Sequence, residues 1–452
     1  MKYIATVLLL LGAASPQEAR PPNIVFIQAD DLGYGDLSCY GQKNFRTPNL
    51  DRMAGDGTRF TQYYAGSTVC APSRCVLMTG LHSGHCFIRG NAKANLRPDD
   101  VTVAKVLKSA GYSTGLAGKW GLGHEGSSGV PTKQGFDFFY GYLDQTHAHN
   151  YWPTFLLRNE ERVKLKNVVP NEGKDGQGVA SDRIDYSDDF IHREGLSFID
   201  RNREKPFFLY LAYTLPHANN EAGKKGMEIP DYGEFKDKDW PDPEKGRAAM
   251  IARLDRNVGE VLRKLKDLGL DGTTIVFFTS DNGPHKEGGS DAAFFGSSGP
   301  LRGTKRDLTE GGIRVPMIVR WPGKVAAGAV SDFLWAHWDL LPTAAELAGA
   351  KAPGGVDGMS VVPTLLGKEQ KPHEYLYWEF FERGFDQAIR VGDWKGIRNG
   401  LDGAVQLYNL KTDLSERENV AGKHGEVVAR LDALMKSARV DSEEWAPKKG
   451  KK

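Results

Sequence analysis

Continuous apolar runs that end in acidic residues constrain the fold of this chain more than any other feature. Residues 23–27 read Asn-Ile-Val-Phe-Ile, and two adjacent acids follow at 30–31. A second run, Thr-Thr-Ile-Val-Phe-Phe-Thr-Ser at 273–280, leads into Asp-Asn at 281–282. Uninterrupted apolar runs of this length are typical of parallel strands that are buried on both faces. They predict an open α/β sheet with polar side chains gathered at its carboxyl edge, where such sheets build their sites.

Strand-like and helix-like segments alternate along most of the chain, which favours a large, mainly parallel sheet covered by helices on both faces. The polar stretch at 162–183 lacks a helical period and predicts a hairpin or loop insertion. The stretch at 221–244 is polar and contains Pro and Gly, which predicts a long loop near the site. Further strands are predicted at 112–117 and 207–213, and helices at 50–55, 74–80, 101–110, 186–202, 246–268 and 339–348.

The pattern changes near residue 366. Strands in series joined by short turns pair antiparallel, so this part predicts a small sheet followed by one helix. The strands are predicted at 375–380, 385–391, 394–398 and 406–410, and the helix at 425–439. The predicted organisation is a large domain at 21–365, which holds the sheet edge where sites form, and a smaller domain at 366–452, whose basic end at 448–452 is expected to be solvated.

The first 20 residues predict a secretory signal peptide. Lys2 supplies the positive charge, 4–11 the apolar segment, and Gly-Ala-Ala at 12–14 the small residues of a cleavage site. This apolar segment is too short to span a bilayer, and no other segment is long and apolar enough. The chain is therefore predicted to be periplasmic or secreted, without a membrane span.

Composition argues against nucleic acid as a partner. The 452 residues carry a formal net charge of +1, and their 40% hydrophobic and 26% charged content is that of ordinary globular proteins. Bulk charge therefore gives no attraction to nucleic acid, and a polyanionic substrate would have to bind a local patch. If Cys70 is used chemically, the other three cysteines, at 39, 75 and 86, allow at most one disulfide.

The acidic residues after the two apolar runs form a candidate metal site. Adjacent carboxylates repel one another unless a cation lies between them. Asp30, Asp31 and Asp281 offer carboxylate oxygens, and Asn282 offers an amide oxygen. An all-oxygen set suits Ca²⁺ or Mg²⁺, and the absence of His and Cys from these four residues argues against zinc.

The segment Cys-Ala-Pro-Ser-Arg at 70–74 places one cysteine at the expected start of a helix. A thiol attacks only as the thiolate, so cations are expected around Cys70 if it is reactive. Arg74 lies one helical turn later on the same face, and its guanidinium can hold an anion. The alternatives are a buried structural cysteine and a solvated surface arginine.

This segment resembles the C-x-P-S-R signature of type I sulfatases, the formylglycine-dependent, arylsulfatase-like enzymes of the alkaline phosphatase superfamily. Further blocks similar to the family's lie, in the family's order, at 30–36, 77–80, 118–123, 207–217, 281–283 and 303–323. The resemblance implies an alkaline-phosphatase-like fold and a maturation enzyme that oxidises Cys70 to formylglycine, whose hydrate attacks the sulfur of a sulfate ester. The calcium ligands that it implies are Asp30, Asp31, Cys70, Asp281 and Asn282.

The same resemblance implies roles for residues outside the calcium set. Arg74 and Lys119 take positions beside the nucleophile, and Lys305 takes that of a clamp on sulfate oxygens. His217 matches a histidine that donates a proton to the departing alcohol, a role suited to a group that titrates near neutrality. Cations that converge on one anion provide the electrostatic stabilisation that such a transfer requires.

One position departs from the family's pattern. Residues 118–123 read Gly-Lys-Trp-Gly-Leu-Gly, and Gly121 stands where many sulfatases have a histidine that contacts the formylglycine. His124, His147 and His149 are candidates to replace it. The run His-Ala-His-Asn-Tyr-Trp at 147–152 also carries polar and aromatic groups suited to a sugar, so His147 and His149 are predicted to bind substrate.

The sequence thus predicts an exported sulfatase that acts on a sulfated glycan, with a galactose-type sulfate suggested by analogy. Two alternatives stay open. A phosphonate or phosphate-ester hydrolase of the same superfamily would be revealed by its rates on matched sulfate and phosphate esters. A catalytically silent sugar-binding relative would be revealed by an unconverted Cys70.

Overall fold

The computed structural model describes residues 20–447. The predicted signal peptide, except for residue 20, and the predicted tail at 448–452 lie outside the described residues. Within the described part, ten strands form one sheet, two form a small ladder and four form a C-terminal sheet. The strands are β1 Asn23–Ala29, β2 Thr58–Phe60, β3 Tyr63–Tyr64, β4 Ser113–Lys119, β5 Phe138–Tyr142, β6 Phe155–Arg158, β7 Glu161–Lys164, β8 Phe207–Ala212, β9 Thr274–Ser280, β10 Met317–Arg320, β11 Ala329–Ser331, β12 Trp335–Ala336, β13 Leu376–Phe380, β14 Asp386–Val391, β15 Trp394–Asn399 and β16 Gln406–Asn409.

The centre of the large sheet is parallel, as the apolar runs predict. The strand order is β11-β2-β10-β9-β1-β8-β4-β5-β6-β7. β1 pairs in parallel with β9 and β8, and β4 pairs in parallel with β8 and β5. These five strands therefore bring their carboxyl ends to one edge, while β10 and β6 run antiparallel to their neighbours.

Both faces of this sheet are buried. Ile24 and Phe26 of β1 belong to one hydrophobic core, and Val25 and Ile27 belong to the other. A strand buried on both faces needs no polar alternation, which explains the continuous apolar run. No helix among residues 20–447 combines the length and hydropathy needed to cross a bilayer. The helices are α1 Pro48–Gly55, α2 Cys70–Thr79, α3 Val103–Ser109, α4 Ser187–Asn202, α5 Asp242–Asp267, α6 Glu310–Ile313, α7 Leu340–Leu347, α8 Val362–Leu365 and α9 Gly425–Ser437.

The predicted elements are present, with shifted ends and some omissions. α5 begins at Asp242 rather than at residue 246, because Pro243 is accommodated in the first turn, where a backbone N–H has no helical partner. The predicted insertion at 162–183 opens with β7, which pairs antiparallel with β6. The strands β2, β3, β5, β6 and β10 to β12 were not predicted, since segments of two to five residues give no readable period.

The C-terminal strands form the predicted antiparallel sheet, in the order β13-β14-β15-β16. One face packs on α9, where Tyr377 and Leu407 share a small core with Leu431. The other face joins the core of the large sheet, and the indole N–H of Trp378 donates to the Ala65 carbonyl at 2.9 Å. The domain boundary after residue 365 stays a prediction.

A buried charge cluster joins the two sheets. The Lys395 ammonium on β15 lies 2.9 Å from a carboxylate oxygen of Glu310 on α6, and 3.0 Å from one of Glu416. All three side chains are fully buried. Arg314 adds a second cation, 3.1 Å from Glu310. Each buried carboxylate in this cluster therefore depends on a neighbouring cation.

We expect Lys395→Met to lower the free energy of unfolding by about 3–5 kcal/mol, because it leaves buried carboxylates without their shared cation. Urea unfolding followed by circular dichroism measures the loss. Lys411→Met, at an exposed position after β16, is the matched control and should have little effect. Equal stabilities of the two variants would contradict this account of the cluster.

Candidate active site

The carboxyl edge of the central strands gathers the polar residues predicted from the sequence. β1 and β9 deliver the acidic residues, β4 ends in a lysine, and α2 begins with the cysteine. Every one of the nine residues predicted for catalysis or metal binding is at most 5% exposed. They are Asp30, Asp31, Cys70, Arg74, Lys119, His217, Asp281, Asn282 and Lys305.

Cys70 is the first residue of α2, and its thiol donates a hydrogen bond to an Asp30 carboxylate oxygen at 3.4 Å. Burial, and then the negative charge of Asp30, raise the pKa of the Cys70 thiol well above its usual value. The unmodified thiol is therefore protonated at neutral pH and is a poor nucleophile. These surroundings suit a residue that acts after conversion to another group.

Arg74 is buried one turn along α2, which excludes a solvated surface arginine. Its Nη2 lies 2.8 Å from Asp281 Oδ2 and 3.2 Å from Asp30 Oδ2. Its Nη1 donates to the Lys119 carbonyl at 2.8 Å. The guanidinium thus connects the ends of β1, β9 and β4 and holds a fixed orientation.

Asp30 is the hub of the site. The Lys119 ammonium lies 2.6 Å from Asp30 Oδ2. Burial opposes ionisation of Asp30, but the charges of neighbouring cations, Lys119 foremost and then Arg74, outweigh it and hold its pKa well below the usual value. Burial and the neighbouring Asp30 charge instead raise the pKa of Asp281. Burial and Asp30 therefore oppose full ionisation of Asp281.

A second ion pair lies beside this hub. The Lys305 ammonium lies 2.9 Å from Asp31 Oδ2 and 3.2 Å from His217 Nε2. The other ring nitrogen of His217 lies 2.6 Å from the Ala218 carbonyl, so Nδ1 carries the proton and Nε2 accepts from Lys305. Burial and the Lys305 charge lower the pKa of His217 well below its usual value. The imidazole is neutral while the site is free of substrate.

The donor set around Asp31 fits a hard cation. The Asn282 amide donates to Asp31 Oδ1 at 2.6 Å, and its own Oδ1 is buried with no hydrogen-bond partner among residues 20–447. One ligand atom each from Asp30, Asp31, Cys70 and His217 lies within 4.8 Å of the others. Because His217 Nε2 is engaged by Lys305, the free donors are mostly oxygens, which favours Ca²⁺ or Mg²⁺ over zinc.

The three histidines suggested as replacements at position 121 lie in different surroundings. His149 is 14% exposed in its side chain, and its ring stacks on His217 at 5.0 Å between centroids. His147 is 1% exposed, and its ring packs against Phe155. His124 is paired with Asp144 at 3.1 Å. Of these three histidines, His149 alone contacts a catalytic candidate in the part of the chain that the structure describes.

Glu287 is a site residue that sequence reasoning missed. Its carboxylate lies 3.3 Å from the Lys305 ammonium and 2.6 Å from Arg306 Nη1. It therefore helps to fix the lysine that contacts Asp31. Glu287 lies in a loop after β9, and nothing in the local pattern distinguishes it from a solvated acid.

Family models match nearly the whole described chain. The model described as Sulfatase covers residues 22–350, and that described as N-sulphoglucosamine sulphohydrolase, C-terminal, covers residues 303–441. The chain belongs to the sulfatase family. This sulfatase is therefore a sulfuric ester hydrolase, as the sequence predicts.

Its relatives match over most of their length. This sulfatase is 33% identical to the N-acetylgalactosamine-6-O-sulfatase of Bacteroides thetaiotaomicron over 94% of each chain. It is 36% identical to arylsulfatase A of Homo sapiens, with 86% of this chain and 77% of the relative covered. Its fold matches the crystal structure of Ps i-CgsB with a TM-score of 0.79, at 31% identity and 92% coverage of each chain. The predicted alkaline-phosphatase-like fold is confirmed.

Proposed function

We propose that this sulfatase hydrolyses sulfate esters of a glycan, with residue 70 as formylglycine and a calcium ion beside it. The placement of Cys70 against the buried acids and cations carries the proposal. Three carboxylates face three cations there, so the charges of the protein balance. A dication and an anionic ester can then be added together without a large net charge. The six groups are Asp30, Asp31, Asp281, Arg74, Lys119 and Lys305.

An aldehyde hydrate at residue 70 would supply one hydroxyl group to attack sulfur and a second to release the sulfate. Arg74 and Lys119 flank this residue and are held by Asp30, so they can stabilise negative charge without reorganising. Formation of the aldehyde requires a maturation enzyme as a partner. The segment at 70–74 is the part of the chain that such an enzyme would read.

The proposed calcium ligands are Asp30, Asp31, Asp281 and Asn282, together with an oxygen of the converted residue 70. The unpartnered amide oxygen of Asn282 supports this set, because a buried acceptor without a donor is costly. The ion would supply positive charge that polarises sulfate oxygens. Lys305, which already contacts Asp31, would hold the same group from the other side.

A sulfated sugar is the proposed substrate, and an exported enzyme is the proposed form. The pair of His149 and Glu221, with 3.2 Å between ring nitrogen and carboxylate, offers polar groups for sugar hydroxyls beside His217. Buried His147 stays a prediction for substrate binding. Several relatives are named N-acetylgalactosamine-6-sulfatases, which supports a galactose-type sulfate. Ps i-CgsB has also been solved in complex with k-i-k-neocarrahexaose.

Rates on two matched esters test the proposal. Enzyme produced together with a maturation enzyme should hydrolyse 4-nitrophenyl sulfate much faster than 4-nitrophenyl phosphate. The mass of the Cys70 peptide should show loss of sulfur and gain of oxygen. Faster phosphate hydrolysis would favour a phosphoesterase, and an unconverted Cys70 with no turnover would favour a silent sugar-binding protein.

We expect His217→Ala to slow hydrolysis of a sugar sulfate by about 10²- to 10⁴-fold, because an alkoxide needs a proton to depart. The negative charge of the bound ester favours the protonated imidazole, which offsets burial and the Lys305 charge. Hydrolysis of 4-nitrophenyl sulfate should change far less, because its phenolate departs unaided. Initial rates on both substrates measure the difference.

The matched control for this variant is His424→Ala, at an exposed position before α9. It should leave both rates unchanged. Equal losses on both substrates in His217→Ala would show that His217 mainly binds the sulfate group. The acid role would then pass to His124, His147 or His149, of which His149 stacks on His217.

A further inference from the structure

The backbone at Gly121 leaves space for a side chain from another segment. Gly121 follows Lys119 by two residues, and its N–H donates to the Leu143 carbonyl at 3.0 Å, which fixes it beside the end of β5. Its φ of +76° lies in the left-handed region that favours glycine. A β carbon at this position would meet three atoms of Gln145 first, with the Nε2 atom only 2.2 Å away. Gln145 therefore occupies the volume that a side chain at 121 would need.

The amide nitrogen of Gln145 is buried and has no hydrogen-bond partner among residues 20–447. Leaving a buried donor unpaired costs about 1–3 kcal/mol. Such a cost is expected where a ligand supplies the missing acceptor. A ligand oxygen placed beside Gln145 would supply the acceptor that this donor lacks.

Gln145 also lies between two parts of the site. On one side is Gly121, at the end of the segment that carries Lys119. On the other side, the short turn that follows Gln145 carries His149, whose ring stacks on His217. Gln145 thus contacts Gly121, two residues after Lys119, and precedes His149 by four residues in the same turn.

The turn that carries Gln145 is held firmly. Asp144 accepts from the Thr146 N–H at 2.7 Å and pairs with His124 at 3.1 Å. The His149 N–H donates to the Thr146 carbonyl at 3.1 Å. Because both neighbouring residues are anchored, the Gln145 amide is preorganised rather than free to seek a partner in solvent.

We propose that Gln145 is a further substrate-contacting residue, whose Nε2 donates a hydrogen bond to an oxygen of the sulfate ester bound at residue 70. The inference rests on the proposed sulfatase activity and places a hydrogen-bond donor in the volume that a side chain at 121 would otherwise occupy. An amide donates without gaining or losing a proton. The contact is therefore independent of pH, unlike one from histidine.

Three substitutions of Gln145 test the contact on 4-nitrophenyl sulfate. Gln145→Glu replaces the donor by a negative charge that also repels the anionic ester, so kcat/KM should fall by about 10³-fold, the upper end of the loss for removal of one oxyanion donor. Gln145→Met keeps the side-chain length without the donor and should lose less, and Gln145→Ala should resemble it. The inhibition constant of inorganic sulfate should rise most in Gln145→Glu and less in Gln145→Met and Gln145→Ala. Thermal midpoints should stay near that of the wild type, and Gln406→Met in the C-terminal sheet is the control.

A double-mutant cycle tests whether side chains at 121 and 145 compete for the same volume. Gly121→His alone should be nearly inactive, because its β carbon would collide with the Gln145 amide. Gly121→His combined with Gln145→Ala removes the collision, and histidine is among the residues that tolerate a positive φ. The double variant should exceed the activity of either single variant. Strict additivity of the two changes would overturn the inference.

The outcomes separate this inference from the proposed function. A converted wild-type enzyme that hydrolyses neither 4-nitrophenyl sulfate nor a sugar sulfate would overturn both. An active wild type whose Gln145→Glu and Gln145→Met variants keep full activity and unchanged sulfate inhibition would overturn the role of Gln145 alone. Equal losses in both variants together with lower thermal midpoints would show a structural role and would also overturn it.

Discussion

Cys70→Ala is expected to abolish hydrolysis of 4-nitrophenyl sulfate, with a loss on the order of 10⁴- to 10⁶-fold, as for removal of a covalent nucleophile. The side chain is 2% exposed, and its thiol donates a hydrogen bond to the Asp30 carboxylate. Alanine fits the same space at the start of α2, so the fold should persist. Initial rates on purified, converted enzyme measure the loss, and circular dichroism checks the fold.

Cys39→Ala is the matched control, because Cys39 is a partly exposed thiol outside the site. It should keep full activity and the same mass change at the Cys70 peptide. Activity of Cys70→Ala equal to that of the wild type would end the formylglycine proposal. Activity retained by an unconverted enzyme would instead show that the thiol itself reacts, against the raised pKa that burial gives it.

The sequence predicts which residues lie together where chemically distinctive side chains directly follow a strand with a clear apolar pattern. The apolar runs of β1 and β9 predict buried parallel strands, and parallel strands place their carboxyl ends together. That rule alone predicts that the acids after β1 approach those after β9. The Asp31 N–H does donate to Asp281 at 3.1 Å, across 250 residues of chain.

Contacts made by loops could not be predicted in the same way. Glu287 reaches Lys305 from a loop, and Gln145 reaches Gly121 from a turn, and neither has a periodic pattern around it. From the sequence, Gly121 lacks the histidine side chain of many sulfatases, and the predicted replacements were nearby histidines. The space is filled by Gln145 because β5 pairs with β4, which brings the turn after β5 over the end of β4.

The interior position of charged residues was also beyond sequence reasoning. Arg74 could have been solvated as readily as buried until the ends of three strands were placed around it. The cluster of Lys395, Glu310 and Glu416 joins segments that are far apart in the chain. Burial of such charges depends on tertiary pairing, because an unpaired buried charge is too costly to persist.

Asp30→Asn is expected to lower hydrolysis of 4-nitrophenyl sulfate by about 10³-fold, comparable to losing a key electrostatic group at an active site. The change keeps the shape of the side chain but removes the charge that holds Lys119 and Arg74. It also replaces a carboxylate proposed as a calcium ligand by a neutral amide, which weakens binding of the ion. Metal analysis should therefore show a lower calcium content, and activity should become more sensitive to a chelator.

Excess calcium distinguishes the two effects of Asp30→Asn. Partial recovery of activity in millimolar calcium would show that loss of the ion is the main defect. No recovery at full calcium content would show instead that the defect comes from Lys119 and Arg74, which the substituted side chain at position 30 no longer holds in place. Asp441→Asn, whose side chain is 92% exposed, is the control and should change neither activity nor metal content. A wild-type enzyme that contains stoichiometric zinc and no calcium would contradict the proposed ion and would favour the phosphoesterase alternative. Zinc at this site would mean that His217 and Cys70, rather than the oxygen donors alone, determine which metal binds.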